Sequence, residues 1–146
     1  MKILKGLIVS FALLFAFQLP ANAQHPDAKI AVNAAEGILK NFAVNQYKQV
    51  WSQQTSKFFK DRMKESEFIT GISFQRSSLG TLNSHKIEDV KYFSRDPSSG
   101  FQGDIFAVMF RTNYNAGEFL EQIVVVKDAD GTYRMSGFHG VPAPKP

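Results

Sequence analysis

The sequence predicts an α+β domain in which three N-terminal helices pack on a four-stranded antiparallel sheet. Two observations carry that prediction. Up to Gly80 the apolar residues recur at three- and four-residue steps, whereas beyond it they gather in runs rich in Val, Ile, Phe and Tyr. Clusters of turn-forming residues separate these runs, and they are short enough for each strand to pair with the next in antiparallel sense.

The helical region does not begin at Met1. Lys2 and Lys5 precede an apolar run from Leu7 to Leu19, and Ala21-Asn22-Ala23 then offers the small residues a signal peptidase accepts. That run holds 13 residues, short of the roughly 20 a spanning helix needs, so residues 1–23 are expected to be a cleaved signal peptide and the remainder not to be membrane-embedded. Without cysteine there is no lipid-attachment residue at the cleavage point. The expected mature chain of 123 residues is long enough to bury a core without disulfides, and residues 24–140 are expected to form one α+β domain. The leader carries two of the 17 basic residues and none of the 13 acidic ones, which leaves a mature formal charge of +2. The cluster Lys57, Lys60, Arg62 and Lys64 is interrupted by Phe58, Phe59, Asp61 and Met63 and reads as a solvated edge. A nucleic-acid partner is not expected.

Within the helical region, Ile30, Ala31, Ala34, Ile38 and Phe42 describe an amphipathic helix from about Asp27 to Ala43, interrupted at Asn45. Tyr47, Val50 and Trp51 mark a shorter second helix. Trp51, the single tryptophan, is either a core anchor or a stacking surface for a ligand. Phe68, Ile69, Ile72 and Leu79 describe a third helix from about Glu65 to Ser77, with Gly80 as its stop. Strands are expected over residues 81–93, 104–112, 118–127 and 132–139, separated by RDPSSG, NYNAG and DADG. The last six residues, VPAPKP, hold three prolines and are expected to leave the sheet as a flexible tail.

Chemistry-bearing motifs are few. The chain has no glycine-rich phosphate loop, no thiol and no serine in a strand-turn-helix glycine motif, so no cofactor is expected. His25, His85 and His139 lie far apart without metal-ligand spacing, and no metal is expected. Cleavage after Ala23 makes His25 the second mature residue, one short of the third position that an amino-terminal copper site uses.

The closing hairpin repays closer reading. A three-residue loop with Gly131 left-handed puts Asp128 opposite Thr132, and then Lys127 faces Tyr133, Val125 faces Met135, Ile123 faces Gly137 and Glu121 faces His139. On that register Glu121 and His139 form an acid-base pair at the end of a helix-facing surface that also carries Tyr133 and Met135. A two-residue turn instead places His139 opposite Gln122. Glu121, His139, Tyr133, Met135 and Trp51 are thus the candidate ligand-binding residues, with no residue assigned a catalytic role. The pair reads first as an ion pair or hydrogen bond at the sheet rim, and second as a functional acid-base pair. The opposite face is expected to hold Phe106, Val108, Phe110, Val124, Val126 and Phe138 among Gln122, Arg134 and Ser136. Either another segment covers it or it forms a sheet-to-sheet homodimer.

The order of elements and several short motifs resemble a family of exported bacterial proteins catalogued as domain of unknown function 4019. The residues that carry the resemblance are Tyr47 and Trp51 in YKQVW, Arg76, Leu79 and Gly80 in FQRSSLG, Glu121 in EQIVVV, and Asp130, Gly131, Arg134 and Gly137 in DGTYRMSGF. It runs from about Ala34 to Phe138. Ser78 stands where the family tends to have proline, Tyr133 where it tends to have tryptophan and Phe138 where it tends to have tyrosine. The family is similar to the cystatin-like cone of nuclear transport factor two and ketosteroid isomerase, which implies a curved sheet wrapped on a long helix around a pocket, located in the periplasm or outside the cell. That fold hosts enzymes, binding modules and dimerisation domains, so it implies a cavity and no particular activity. The expected function is binding of a small ligand or an envelope protein without catalysis. The alternatives are a pocket enzyme of isomerase or hydratase type using Glu121 and His139, and a dimerisation or envelope-interaction module whose pocket is filled by its own side chains. A cavity of a few hundred cubic ångströms with Glu121 pointing in favours ligand or enzyme.

Overall fold

Helix α1, Ala28–Ala43, buries Ala31, Ala35, Ile38, Leu39 and Phe42, a stripe with the three- and four-residue steps of a helix that has one apolar face. The computed structural model describes residues 25–146. The leader therefore lies outside the described residues. Ile30, placed by periodicity on the core stripe, is 58% exposed, and Ala35 and Leu39 complete the face instead. Asn45, in the left-handed region at φ 61°, ends the segment.

The remaining helices are short. The segment α2, Tyr47–Gln49, runs into a π-helical turn, Val50–Gln54, and α3 is Lys57–Lys60. Ser56 caps α3 by accepting the Phe59 amide at 3.2 Å. Helix α4, Glu65–Arg76, buries Phe68, Ile72 and Arg76. Among the described residues four α-helical segments thus stand where periodicity predicts three; a four-residue helix such as α3 is too short to show a repeat. Gly80 follows α4 at φ 75°, and a side chain there would meet the Asn115 Cβ at 2.9 Å, which explains a glycine at this junction.

The strands are β1, Leu82–Arg95, β2, Gln102–Tyr114, β3, Gly117–Lys127, and β4, Tyr133–Pro142. They form one curved antiparallel sheet in the order β1-β2-β3-β4. Its inner face packs on α1 and the aromatic residues of the short helices through Phe106, Val108, Phe110, Ile123, Val125, Tyr133 and Met135. A His85 to Glu36 contact of 3.0 Å adds a polar tie between β1 and α1.

Phe106, Val108 and Phe110 are a correction to the expected outer face. They pair with Val125, Ile123 and Glu121 and therefore share the inner side. The outer face carries Ile105 and Ala107 in their place, beside Val124 and Val126, which lie there as expected. Ile105, Ala107 and Val126 of that face are buried and Val124 is partly exposed, and Phe101 of the β1–β2 loop meets Phe58 of α3 edge to face at 5.0 Å. With those residues inside, exposed Phe106, Val108 and Phe110 no longer argue for a homodimer.

At the last hairpin the expected loop is present. Gly131 has φ 83°, and the Asp128 amide donates to Thr132 O at 2.9 Å. Lys127 faces Tyr133 and Val125 faces Met135 as that loop requires. A β-bulge at Ser136 then shifts the register by one, so Val124 faces Gly137, Ile123 faces Phe138 and Gln122 faces His139. The shift turns Phe138 to the core and separates His139 from Glu121. At the bulge, Met135 O accepts the Ser56 amide at 2.8 Å, which fastens the α2–α3 connection along the free edge of β4. β4 also continues past the expected exit: Leu120 faces Val141 and Phe119 faces Pro142. Proline ends the pairing without breaking it, since the next amide, Ala143, donates to Glu118 O at 2.9 Å.

Candidate site at the buried Arg76 and Glu121

Four-residue spacing places Phe68, Ile72 and Arg76 on one face of α4, so the helix that buries two apolar side chains also carries a guanidinium beneath the sheet. Glu121 occupies the inner side of β3, and Arg76 Nη1 donates to its Oε1 at 2.5 Å. Tyr114, at the end of β2, accepts from Arg76 Nη2 at 2.5 Å and donates to Glu121 Oε2 at 2.6 Å. Arg76 is 7% exposed and Glu121 and Tyr114 are each 2% exposed, so the closed triangle lies out of solvent. The Phe42 and Phe138 rings lie 5.3 and 5.6 Å from the guanidinium carbon.

Burial alone lowers the affinity of Arg76 for its proton, but the adjacent Glu121 charge and its hydrogen bond outweigh burial and raise it. The Tyr114 hydroxyl is pushed far above its ordinary range, first by burial and then by its bond to Glu121. The arrangement therefore combines one cation and one anion with a neutral phenol. Both Glu121 oxygens are therefore held by donors from within the fold, Oε1 by Arg76 and Oε2 by Tyr114.

Beside the triangle lies a cleft of about 350 Å³ bordered by Gln75, Leu79, Phe119, Phe138 and His139. His139 borders it from an exposed position, and its register with Gln122 places it on the sheet side opposite Glu121. A family profile described as "Protein of unknown function (DUF4019)" matches residues 34–138. The chain belongs to the DUF4019 family. The DUF4019 match takes in Arg76, Tyr114 and Glu121 and ends one residue before His139. No curated protein matches the chain.

The other residues expected to line a pocket are elsewhere. Met135 is fully buried in the core, and Trp51 packs against Phe68 at 5.4 Å and Phe59 at 6.3 Å. Tyr133 lies at the opposite end of the inner face, donating to Asp27 Oδ2 at 2.9 Å, while Lys127 holds the same oxygen at 2.8 Å. Of the five, Glu121 and His139 alone border one cleft. Arg76 and Tyr114 are the residues that sequence reasoning passed over; the Phe68, Ile72, Arg76 spacing was the available signal. Among the described residues no three histidine or acidic side chains are gathered as a metal site, and no helix is long and apolar enough to cross a membrane.

The closing turn supplies a pH-dependent contact. Arg134 grips Asp130 with two bonds of 2.9 Å and holds its carboxyl at about 2, below the ordinary 3.8. A lowered carboxyl stabilises the fold above its unfolded value, and that contribution is lost as pH falls from 3.8 towards about 2. Asp27, lowered first by its Lys127 bond and then by Tyr133, acts in the same direction. Thermal melting followed across this window is expected to show a steeper loss for the wild type than for Asp130→Asn. Equal slopes would show that the turn contact adds nothing to acid sensitivity.

Proposed function

We propose that this chain is an exported domain that binds a small ligand or protein partner without converting it. The observation that carries the reading is the engagement of both Glu121 oxygens by Arg76 and Tyr114. A carboxylate that serves as base in an isomerase needs an oxygen within reach of the substrate; here both oxygens are engaged by side chains of the fold. A cone like that of nuclear transport factor two is part of the same reading, supported by the sheet packing its inner face on a 16-residue helix. So are export and a periplasmic or extracellular location, supported by Lys2, Lys5, the Leu7–Leu19 run and Ala21-Asn22-Ala23.

Native mass spectrometry of the chain purified from its own envelope tests the proposal. The expected spectrum shows a mature chain starting at Gln24 with a non-covalent adduct whose mass does not change on incubation. Conversion of the adduct, abolished by Glu121→Gln, would replace binding with catalysis.

A further inference from the structure

We infer that the groove on the outer face of the sheet binds a single-chain amphiphile with an anionic headgroup. This deepens the binding reading above and rests on it. The groove lies on the side of the sheet away from the Arg76 triangle. Its floor is Ile105, Ala107, Val124 and Val126, contributed by two adjacent strands, and Phe58 and Phe101 meet across it at 5.0 Å. Its volume of about 530 Å³ falls within the roughly 300–1,000 Å³ of ordinary small-molecule sites.

Three features choose the occupant. The floor is apolar yet hardly reachable from outside, with Val126 1%, Ile105 5% and Ala107 8% exposed. Val124, partly exposed, is the open part of the floor, and a narrow groove of about 530 Å³ flanked by two aromatic rings admits a slender hydrocarbon chain more readily than a flat sheet or a globular partner. The β1 side of the groove is basic. Arg95 and Lys91 both line it; Arg95 has no ion-pair partner among the described residues, and Lys91 is 3.6 Å from Asp89. The one acidic residue of the lining, Asp96, is turned into its own loop, where it accepts the Ser98 and Ser99 hydroxyls at 2.7 and 2.6 Å and the Ser98 amide at 3.0 Å. An apolar slot with cations along its β1 side, Arg95 among them without an ion-pair partner among the described residues, fits a chain that carries a carboxylate or phosphate at one end. The roof is braced from outside by Arg62, whose guanidinium stacks on Phe58 at 3.5 Å and donates to Phe58 O at 2.9 Å.

The test compares dodecanoate, dodecanol and dodecyltrimethylammonium as probes of the purified mature chain by calorimetry and native mass spectrometry. Dodecanoate is expected to bind with one-to-one saturation, and Ala107→Trp, which fills the floor, to weaken it at least about tenfold. Phe101→Ala, which opens the roof without touching the sheet, is expected to weaken all probes several-fold. Arg95→Gln is expected to weaken dodecanoate by roughly five- to tenfold and leave dodecanol unchanged. Absence of saturable dodecanoate binding overturns the proposal. So does binding that survives both groove variants in a folded protein, or equally tight binding of the cationic probe. Failure of all three probes alongside a stable envelope-derived adduct would sink this site and leave the binding reading standing. An adduct that is chemically converted would sink the binding reading wherever dodecanoate goes.

Discussion

Glu121→Ala is expected to lower the free energy of unfolding by about 3–5 kcal/mol, because it leaves the Arg76 guanidinium charged and unpaired in the interior. The loss exceeds that of an ordinary ion pair for two reasons. Both partners are almost wholly out of solvent, so screening is weak, and the Tyr114 hydroxyl loses its acceptor while keeping only its Arg76 donor. The matched double replacement Arg76→Met with Glu121→Leu removes the charge as well as its partner and is expected to recover most of the loss. A cycle built from the two single variants and the double isolates the coupling, measured by urea unfolding with the slope checked for constancy. Should Glu121→Ala cost under about 1 kcal/mol, the triangle is not a structural lock and the argument against its use as a base falls with it.

Phe42→Ala is expected to cost about 3–5 kcal/mol, the range for truncating a fully buried aromatic side chain. Phe42 closes the last turn of α1 and touches every layer at once. Its ring lies 6.1 Å from Tyr47, 6.4 Å from Phe68 and 5.3 Å edge-on from Phe138 of β4, as well as over Arg76. Removing it opens a cavity that four separate elements border, and none of them can close it alone. Phe42→Leu keeps much of the volume and is expected to cost clearly less. Equal losses for the two replacements would mean that the aromatic face towards Arg76, and not packing, is what matters.

Legibility in the sequence followed the range of the interactions involved. The Gly131 turn, the switch from helices to strands near Gly80 and the stop at Asn45 are local decisions, and each could be read from residues within a turn of one another. The phase of β2 could not, because FAVMF is apolar on both faces and alternation carries no information there. Nor could the bulge at Ser136, beside which Met135 O accepts from Ser56, 79 positions earlier. Arg76 and Tyr114 were missed for a related reason. The pairing spans 45 residues, and NYNAG reads as a loop although Tyr114 still belongs to β2 and the turn is Asn115-Ala116. A buried charge is invisible in composition, since a guanidinium counts the same on the surface as beneath a sheet.

The strand order β1-β2-β3-β4 also has a consequence for how the chain reaches its structure. Every strand pairing is between neighbours in sequence, so the meander can assemble hairpin by hairpin with short loops to close. The helices come first along the chain, and what they rest on comes last: the bond between Asp27 and Tyr133 spans 106 positions. During synthesis from the amino terminus, the apolar stripe of α1 is therefore made well before the sheet that covers it. Its buried positions near the start are Ala31 and Ala35, with the larger Ile38, Leu39 and Phe42 held to its last two turns. That gradation limits the sticky surface of the nascent chain to the end nearest α2 and α4, which are the first elements made that can shield it.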